Sequence, residues 1–256
     1  MDRFDVPRVN ILGVGVHALN MPSAVDLLDQ AATQDIKGYV TVTGVHGIME
    51  AQDDPSFRDV LNSSLLTTPD GMPTVWIGRS RGFDRMERVY GPELMVEVCR
   101  RSEYTGHTHF IYGGAPGVAD DLAAVLKSKF PDLKILGTCT PPFRPLNESE
   151  ERELIDRMND LRPDFFWVCL GAPKQERFMA EFSPKLKTTV MVGVGAACDI
   201  LTGRTKDAPE WVKRSGLQWL HRLLQEPKRL WRRYLILNPR FIYSIMRHPS
   251  DQRAGN

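Results

Sequence analysis

Along most of its length the chain alternates short apolar runs with amphipathic helical stretches, and this alternation leaves few folds open. Val9–Gly13, Tyr39–Thr43, Leu65–Thr68, His109–Tyr112, Lys134–Thr138, Phe165–Leu170 and Thr189–Val194 read as strands. Ser23–Thr33, His46–Asp53, Gly91–Ser102, Gly117–Lys129, Glu148–Leu161 and Lys174–Phe182 carry helical periodicity. Several strands are apolar at every position rather than at every second one, as strands covered on both faces must be. The expected architecture is therefore α/β, a mostly parallel sheet with helices on both faces. Such sheets bind ligands beyond the carboxyl ends of their strands, so the residues just after each strand are the ones to inspect.

After about Thr202 the alternation stops. The segment WVKRSGLQWLHRLLQEPKRLWRRYLILNPRFIYSIMRHP is basic, aromatic-rich and helical in pattern, interrupted by Pro227 and Pro239. Arg204–Arg247 carries eleven Lys/Arg against three Asp/Glu, a net of +8, which leaves the remainder of the chain at −7 although the total is only +1. Charge gathered at one end of a near-neutral protein points to an anionic partner. The expected organisation is a core over 1–203 and a basic helical appendage over 204–256. The longest clearly apolar run, Val190–Cys198, has nine residues, well short of the roughly twenty that span a bilayer. The N-terminal MDRFDVPRVN lacks the hydrophobic stretch of a signal peptide, so a cytoplasmic location is expected. Cys99, Cys139, Cys169 and Cys198 are widely spaced among apolar residues, with no metal-ligand spacing; buried free thiols are expected, and no metal.

Four loops follow strands. In TTPDGMP, Asp70 projects from a tight turn, where it either caps the turn or serves as a general base. FIYGGAPG, with Gly114 at its turn, precedes a helix and is either a cradle for phosphate or a plain turn. LGAPKQERF places Gly171 and Pro173 at a strand-to-helix turn. Gln175 and Glu176 follow, suited to sugar hydroxyls, with Lys174 suited to a phosphate; a solvated helix start is the alternative. GVGAACD offers close backbone approach at Gly195 and a carboxylate, Asp199, able to bond a ribose diol. In the basic segment, Arg222, Arg229 and Arg232 share one helical face if Pro227 only bends it. Guanidinium forks suit diphosphate oxygens, and the interleaved Trp219, Trp231 and Tyr234 suit a headgroup interface; a solvated helix face is the alternative.

TTPDGMPTVW, RVYGPEL, FIYGGAPG, GTCTPPF, VCLGAPKQE, VGVGAACDILTGRTKDAP and GLQWLHRLLQEPKRLWRRYLILNPRF occur in that order from about Gly38 to Arg247. Together they resemble the WecG/TagA/CpsF family of bacterial glycosyltransferases. The resemblance implies a Rossmann-like core and inverting transfer of an N-acetylmannosamine-type or uronic acid-type sugar from a UDP donor. The acceptor it implies is a polyprenyl-diphosphate-linked sugar, in teichoic acid or other surface polysaccharide synthesis. It implies no metal or cofactor, and peripheral attachment to the inner face of the cell membrane. Asp70 then matches the catalytic base, and Gln175 and Asp199 match the donor pocket, which Gly114, Gly171, Pro173, Glu176 and Gly195 complete. Arg222, Arg229 and Arg232 match the diphosphate- and acceptor-binding arginines. Where the family has Thr-x-Asn, this chain reads Thr41-Val42-Thr43-Gly44, so either Thr43 or Thr41 supplies the hydroxyl. A dinucleotide-dependent oxidoreductase is the alternative, disfavoured by the missing GxGxxG. A nucleic-acid-binding module is disfavoured by the acidic remainder, and a homo-oligomer is left open.

Overall fold

The computed structural model describes residues 4–247. Of the two expected regions, 1–3 in the core and 248–256 in the appendage lie outside the described residues. In chain order the elements are β1 (Arg8–Ile11), β2 (Val14–His17), α1 (Met21–Thr33), β3 (Gly38–Thr43), α2 (Val45–Asp53), α3 (Pro55–Asn62), β4 (Leu66–Pro69) and α4 (Met72–Ser80). Then follow α5 (Gly91–Thr105), β5 (Thr108–Gly113), α6 (Val118–Lys129), β6 (Lys134–Cys139), α7 (Glu148–Leu161), β7 (Phe165–Cys169), α8 (Lys174–Phe182) and β8 (Val190–Gly193). The chain ends through α9 (Ala197–Leu201), α10 (Glu210–Arg214), α11 (Gln218–Gln225), α12 (Pro227–Trp231), a π-helical turn over Arg232–Ile236, and α13 (Leu237–Arg247).

A six-stranded parallel sheet, in the order β4-β3-β8-β7-β5-β6, is flanked by helices. The expected α/β fold is therefore the observed one. No helix among the described residues is long and apolar enough to cross a membrane. By internal contacts the chain forms two compact units. The first comprises the described parts of Met1–Met21, Val42–Tyr90 and Lys206–Asn256, and the second Pro22–Thr41 and Gly91–Thr205.

In the first unit, the stretch expected as one strand over Val9–Gly13 is a hairpin. Leu12 and Gly13 both take positive φ, 53° and 84°, so the chain reverses and β1 pairs antiparallel with β2, Ile11 opposite Val14. Two-residue turns of this hand match the twist of the strands they join. The core here collects Val9, Ile11, Val14 and Val16 from the hairpin, Ile48 and Met49 from α2, Phe57 and Leu61 from α3, and Phe241 from α13. Phe241 is 4% exposed, with Leu237 and Ile245 of the same helix packed against the cluster. Helix α3 starts where Asp54 accepts the Phe57 N–H at 3.2 Å and Pro55 takes the first turn, which has no need of its missing N–H.

In the second unit, the continuously apolar run Phe165–Val168 is buried throughout, as its composition requires. Phe165 stands opposite Val190 of β8 on one side and His109 of β5 on the other. Within that core the Trp167 indole N–H donates to His109 Nδ1 at 2.9 Å, and burial holds the His109 proton affinity down to about 3, so this histidine is a neutral structural acceptor. A capping box of Asn147 and Glu150 starts α7. Cys99 keeps a buried thiol and Cys139 a half-buried one. Cys169 and Cys198, expected as free thiols, are instead joined in a disulfide. Their Cα atoms lie 6.3 Å apart because Cys198 opens the helix that follows β8, the neighbour of β7; a spacing of 29 residues gives no hint of it.

Candidate functional site

The strand order reverses direction between β5 and β7. The chain leaves β5 towards β6 on one side, and leaves β7 towards β8 on the other. In sheets of this class such a reversal parts the loops at the carboxyl ends and opens a ligand crevice. Two of the loops singled out by sequence flank this point in the second unit, the one after β5 with Gly114 and the one after β7 with Gly171 and Pro173. They touch: the Gly114 N–H donates to Cys169 O at 3.0 Å, and a Cβ on Gly113 would lie 2.7 Å from that same oxygen. The peptide between Ala172 and Pro173 is cis.

Gln175, 3% exposed, ties this arrangement together. Its Oε1 accepts the Gly171 N–H at 3.1 Å and its Nε2 donates to Glu176 Oε1 at 2.9 Å. Gly195 takes a φ of 54°, and a Cβ there would lie 3.4 Å from Gln175 Oε1. The amide thus sets the shape of two loops at once, and both of its functional atoms are engaged. The Asp199 carboxylate, half-exposed, makes no hydrogen bond among the described residues, while its carbonyl accepts the Thr205 N–H at 3.0 Å. Lys174 is exposed at the helix start.

The remaining candidates lie in the first unit. Asp70 follows β4, and its N–H donates to Thr43 O at 3.0 Å, which holds the loop to the end of β3. Thr43 is buried, and so is Thr41 two residues earlier on the same face of the strand. The Asp70 side chain keeps 31% of its surface open, enough for a substrate to reach it, and Arg88 Nη2 stands 3.4 Å from its Oδ1. The deep setting raises the carboxyl's proton affinity above the usual carboxylate range, against the opposing pull of Arg88, Arg222 and Arg233. A carboxylate made more basic than usual is better suited to take a proton from a hydroxyl.

Arg88 is itself fixed: it hydrogen-bonds Gln218 Oε1, and its guanidinium lies 4.1 Å from the centre of the Tyr90 ring. The Tyr90 hydroxyl donates to Asp207 at 2.9 Å, and Lys213 pairs with Asp207 at 2.8 Å. Arg222 and Arg233 each carry a buried Nε without a hydrogen-bond partner among the described residues. Arg229 pairs with Glu226, and Arg232 lies exposed with its guanidinium 5.7 Å from the Trp231 ring. The single helical face expected for residues 222, 229 and 232 is interrupted. Helix α11 ends at Gln225, Glu226 leaves the helical conformation at φ −131° and ψ 59°, and the π turn follows α12. Among the charges that lower the Asp70 proton affinity is that of Arg233, in the π turn.

Sequence reasoning assigned no role to Arg88 or Arg233. Arg88 stood in the quoted RVYGPEL motif, and Arg233 beside Arg232. From α10 onward the same unit exposes large apolar side chains, among them Trp211, Leu224, Trp231, Leu235, Ile242, Tyr243 and Met246. Exposed Arg214, Lys228 and Arg247 lie interspersed with them along the chain.

A family model described as "Glycosyl transferase WecG/TagA/CpsF family" matches residues 9–255. An N-acetylglucosaminyldiphosphoundecaprenol N-acetyl-beta-D-mannosaminyltransferase of Bacillus spizizenii is 29% identical over 89% of this chain and 86% of its own length. A protein of the same description from Bacillus subtilis is 26% identical over 92% of this chain and 90% of its own.

Proposed function

This chain belongs to the WecG/TagA/CpsF family of glycosyl transferases, and from that footing we propose an inverting transfer of an N-acetylmannosamine-type or uronic acid-type sugar from a UDP donor. The acceptor is a polyprenyl-diphosphate-linked saccharide, consistent with the names of the two relatives. One observation carries the reading: Asp70 is an accessible carboxylate of raised proton affinity beside Arg88, with the charges of Arg222 and Arg233 also acting on it. Inverting transfer needs a base for the acceptor hydroxyl as it attacks the anomeric carbon. It also needs positive charge for the diphosphates of donor and lipid, and Arg222, Arg229, Arg232 and Arg233 are its candidates. Group transfer of this kind needs no bound redox cofactor, and family membership favours it over the dinucleotide oxidoreductase.

The UDP moiety belongs, in this reading, to the loops of Gly114, Gly171, Pro173 and Gly195, with Asp199 on the ribose and with Gln175 and Glu176 holding the loop shapes. Asp199→Ala is expected to weaken UDP binding about tenfold, the worth of a charged hydrogen bond. Titration calorimetry with UDP measures this, and unchanged affinity would put the nucleotide elsewhere. The basic segment from Arg204 is the part that meets the inner face of the membrane, where the lipid acceptor resides. Incubating the protein with a panel of UDP-sugars and a short-chain polyprenyl-diphosphate N-acetylglucosamine, and measuring released UDP, tests the whole reading. Release that depends on both substrates supports it; no transfer from any UDP-sugar rejects it.

A further inference from the structure

In the first unit the Asp70 carboxylate has an arginine beside it, yet the two do not close into a tight pair. Arg88 Nη2 stands 3.4 Å from Asp70 Oδ1, whereas a close charged hydrogen bond spans about 2.7–2.9 Å. The same Nη2 donates a hydrogen bond to Gln218 Oε1, and the guanidinium lies over the Tyr90 ring, 4.1 Å from its centre. That ring is a fixed support. Tyr90 is 5% exposed, its hydroxyl donates to Asp207 at 2.9 Å, and Lys213 pairs with Asp207 at 2.8 Å while facing the ring at 5.3 Å.

Gln218 is anchored as well. It opens α11, and the turn before it packs on α4, the helix that follows the Asp70 loop. A Cβ on Gly216, at φ 76°, would lie 2.8 Å from Trp76 Cη2 and 3.3 Å from Met72 Cβ. The Leu217 N–H donates to the carbonyl of buried Val212 at 3.2 Å. The amide thus reaches the guanidinium from a backbone held next to the loop that carries Asp70.

The Arg88 side chain is 12% exposed, and its Nε is a buried N–H with no hydrogen-bond partner among the described residues. A second open donor on the same buried group is costly. Without the amide oxygen, Nη2 would turn to the carboxylate already 3.4 Å away and close the pair. Resting on the transferase reading above, we propose that Gln218 is a positioning residue: by accepting from Arg88 Nη2 it keeps that guanidinium from closing on Asp70, and so leaves the carboxylate free for the acceptor hydroxyl. Gln218 touches no reacting atom and acts through Arg88. The other charges on Asp70 are those of Arg222 and Arg233. Burial, with the charges of Asp207 and Asp70, raises the Tyr90 phenol, which stays protonated throughout the working range.

The test follows kcat/KM against pH in the full chain, with short-chain polyprenyl-diphosphate N-acetylglucosamine and the UDP-sugar that the panel above selects. Gln218→Met keeps the length of the side chain and removes the acceptor. Asp70 works only when deprotonated, and tighter pairing lowers its pKa. The acid limb therefore moves to lower pH by about one unit, and the plateau falls because the base is weaker. Gln218→Glu returns an acceptor and adds a negative charge, so its acid limb moves to higher pH instead. In an Arg88→Gln background Gln218→Met shifts nothing further, because no guanidinium is left to release. A shift that persists there acts by another route, such as Arg222 on the same helix, and overturns the proposal. A merely structural Gln218 would lower activity alike at every pH with the acid limb in place, and that result, or an unchanged profile, overturns it too. Carbon-detected NMR of the Asp70 carboxyl, assigned against Asp70→Asn, reads the same displacement without turnover. Unaltered protein that transfers no sugar, with a carboxyl pKa that still falls in Gln218→Met, overturns the transferase reading and supports the role of Gln218. A carboxyl pKa that does not move overturns that role whatever the turnover.

Discussion

Asp70→Asn is expected to lower turnover by about 10²–10⁴-fold, the usual contribution of a positioned general base, while UDP still binds. The change keeps the size of the side chain and the backbone bond from Asp70 N–H to Thr43 O, and removes only the basicity. Arg88 gives the assignment an independent readout. Its guanidinium pulls the Asp70 proton affinity down against the raising effect of burial. The base works only when deprotonated, so activity is lost as pH falls through the Asp70 pKa. Arg88→Gln withdraws a lowering influence, so the acid limb of the kcat/KM profile moves to higher pH. An acid limb that stays in place in Arg88→Gln, or near-normal turnover in Asp70→Asn, would remove Asp70 from the chemistry.

The second large effect concerns attachment to membranes. Each exposed Lys or Arg near an anionic surface contributes on the order of 1 kcal/mol. Replacing Arg214, Lys228 and Arg247 together with glutamine is therefore expected to reduce partitioning onto vesicles rich in anionic lipid about 10²-fold. These three are exposed and lie outside the set assigned to catalysis, so turnover on a water-soluble short-chain acceptor should not change. Substitution is a cleaner test than truncation. Phe241 is buried in the core of the first unit, and removing the segment would strip away a side chain whose loss alone costs about 3–5 kcal/mol. Vesicle sedimentation at low and high salt reads the effect, and equal binding by the two proteins would leave the basic segment without a membrane role.

The strands of the sheet were legible because burial on both faces demands an unbroken apolar run, as in Phe165–Val168, and little else in a sequence looks like that. The hairpin was not. Leu12 is an ordinary residue asked to take a positive φ, and nothing in its chemistry advertises the turn. Helices α3 and α4 escaped notice because both are short and open on Pro55 or Pro73, residues that read equally well as loop. The loops after the strands carried recognisable chemistry, so Asp70, Gln175 and Asp199 could be chosen in advance. Arg88 and Arg233 could not be linked to Asp70, since they come from segments far apart in the chain. The single face expected for Arg222, Arg229 and Arg232 is broken for a local reason: counting along a regular helix assumes a regular helix, and the turn over Arg232–Ile236 is π-helical.

The irregularity itself, the π turn at Arg232–Ile236, works as a length buffer. Leu230 before it and Phe241 after it are both buried, at 2% and 4% exposure. In an unbroken α-helix each residue advances by about 100°, so two residues eleven apart point nearly the same way, and those ten apart differ by about 80°. A π turn accommodates one surplus residue in a single wide turn and returns the helix beyond it to the phase it would have had without the surplus. A one-residue deletion between Tyr234 and Ile236 could thus be absorbed by relaxation to a plain α-helix, with Leu230 and Phe241 keeping their bearings. The same deletion anywhere else in α13 ahead of Phe241 would swing that ring out of the core. What the excision would take away is the local bulge in which Arg233 sits. Folding and charge placement are therefore separately heritable at this turn, and lineages could lengthen or shorten it by one residue to retune the site without refounding the core.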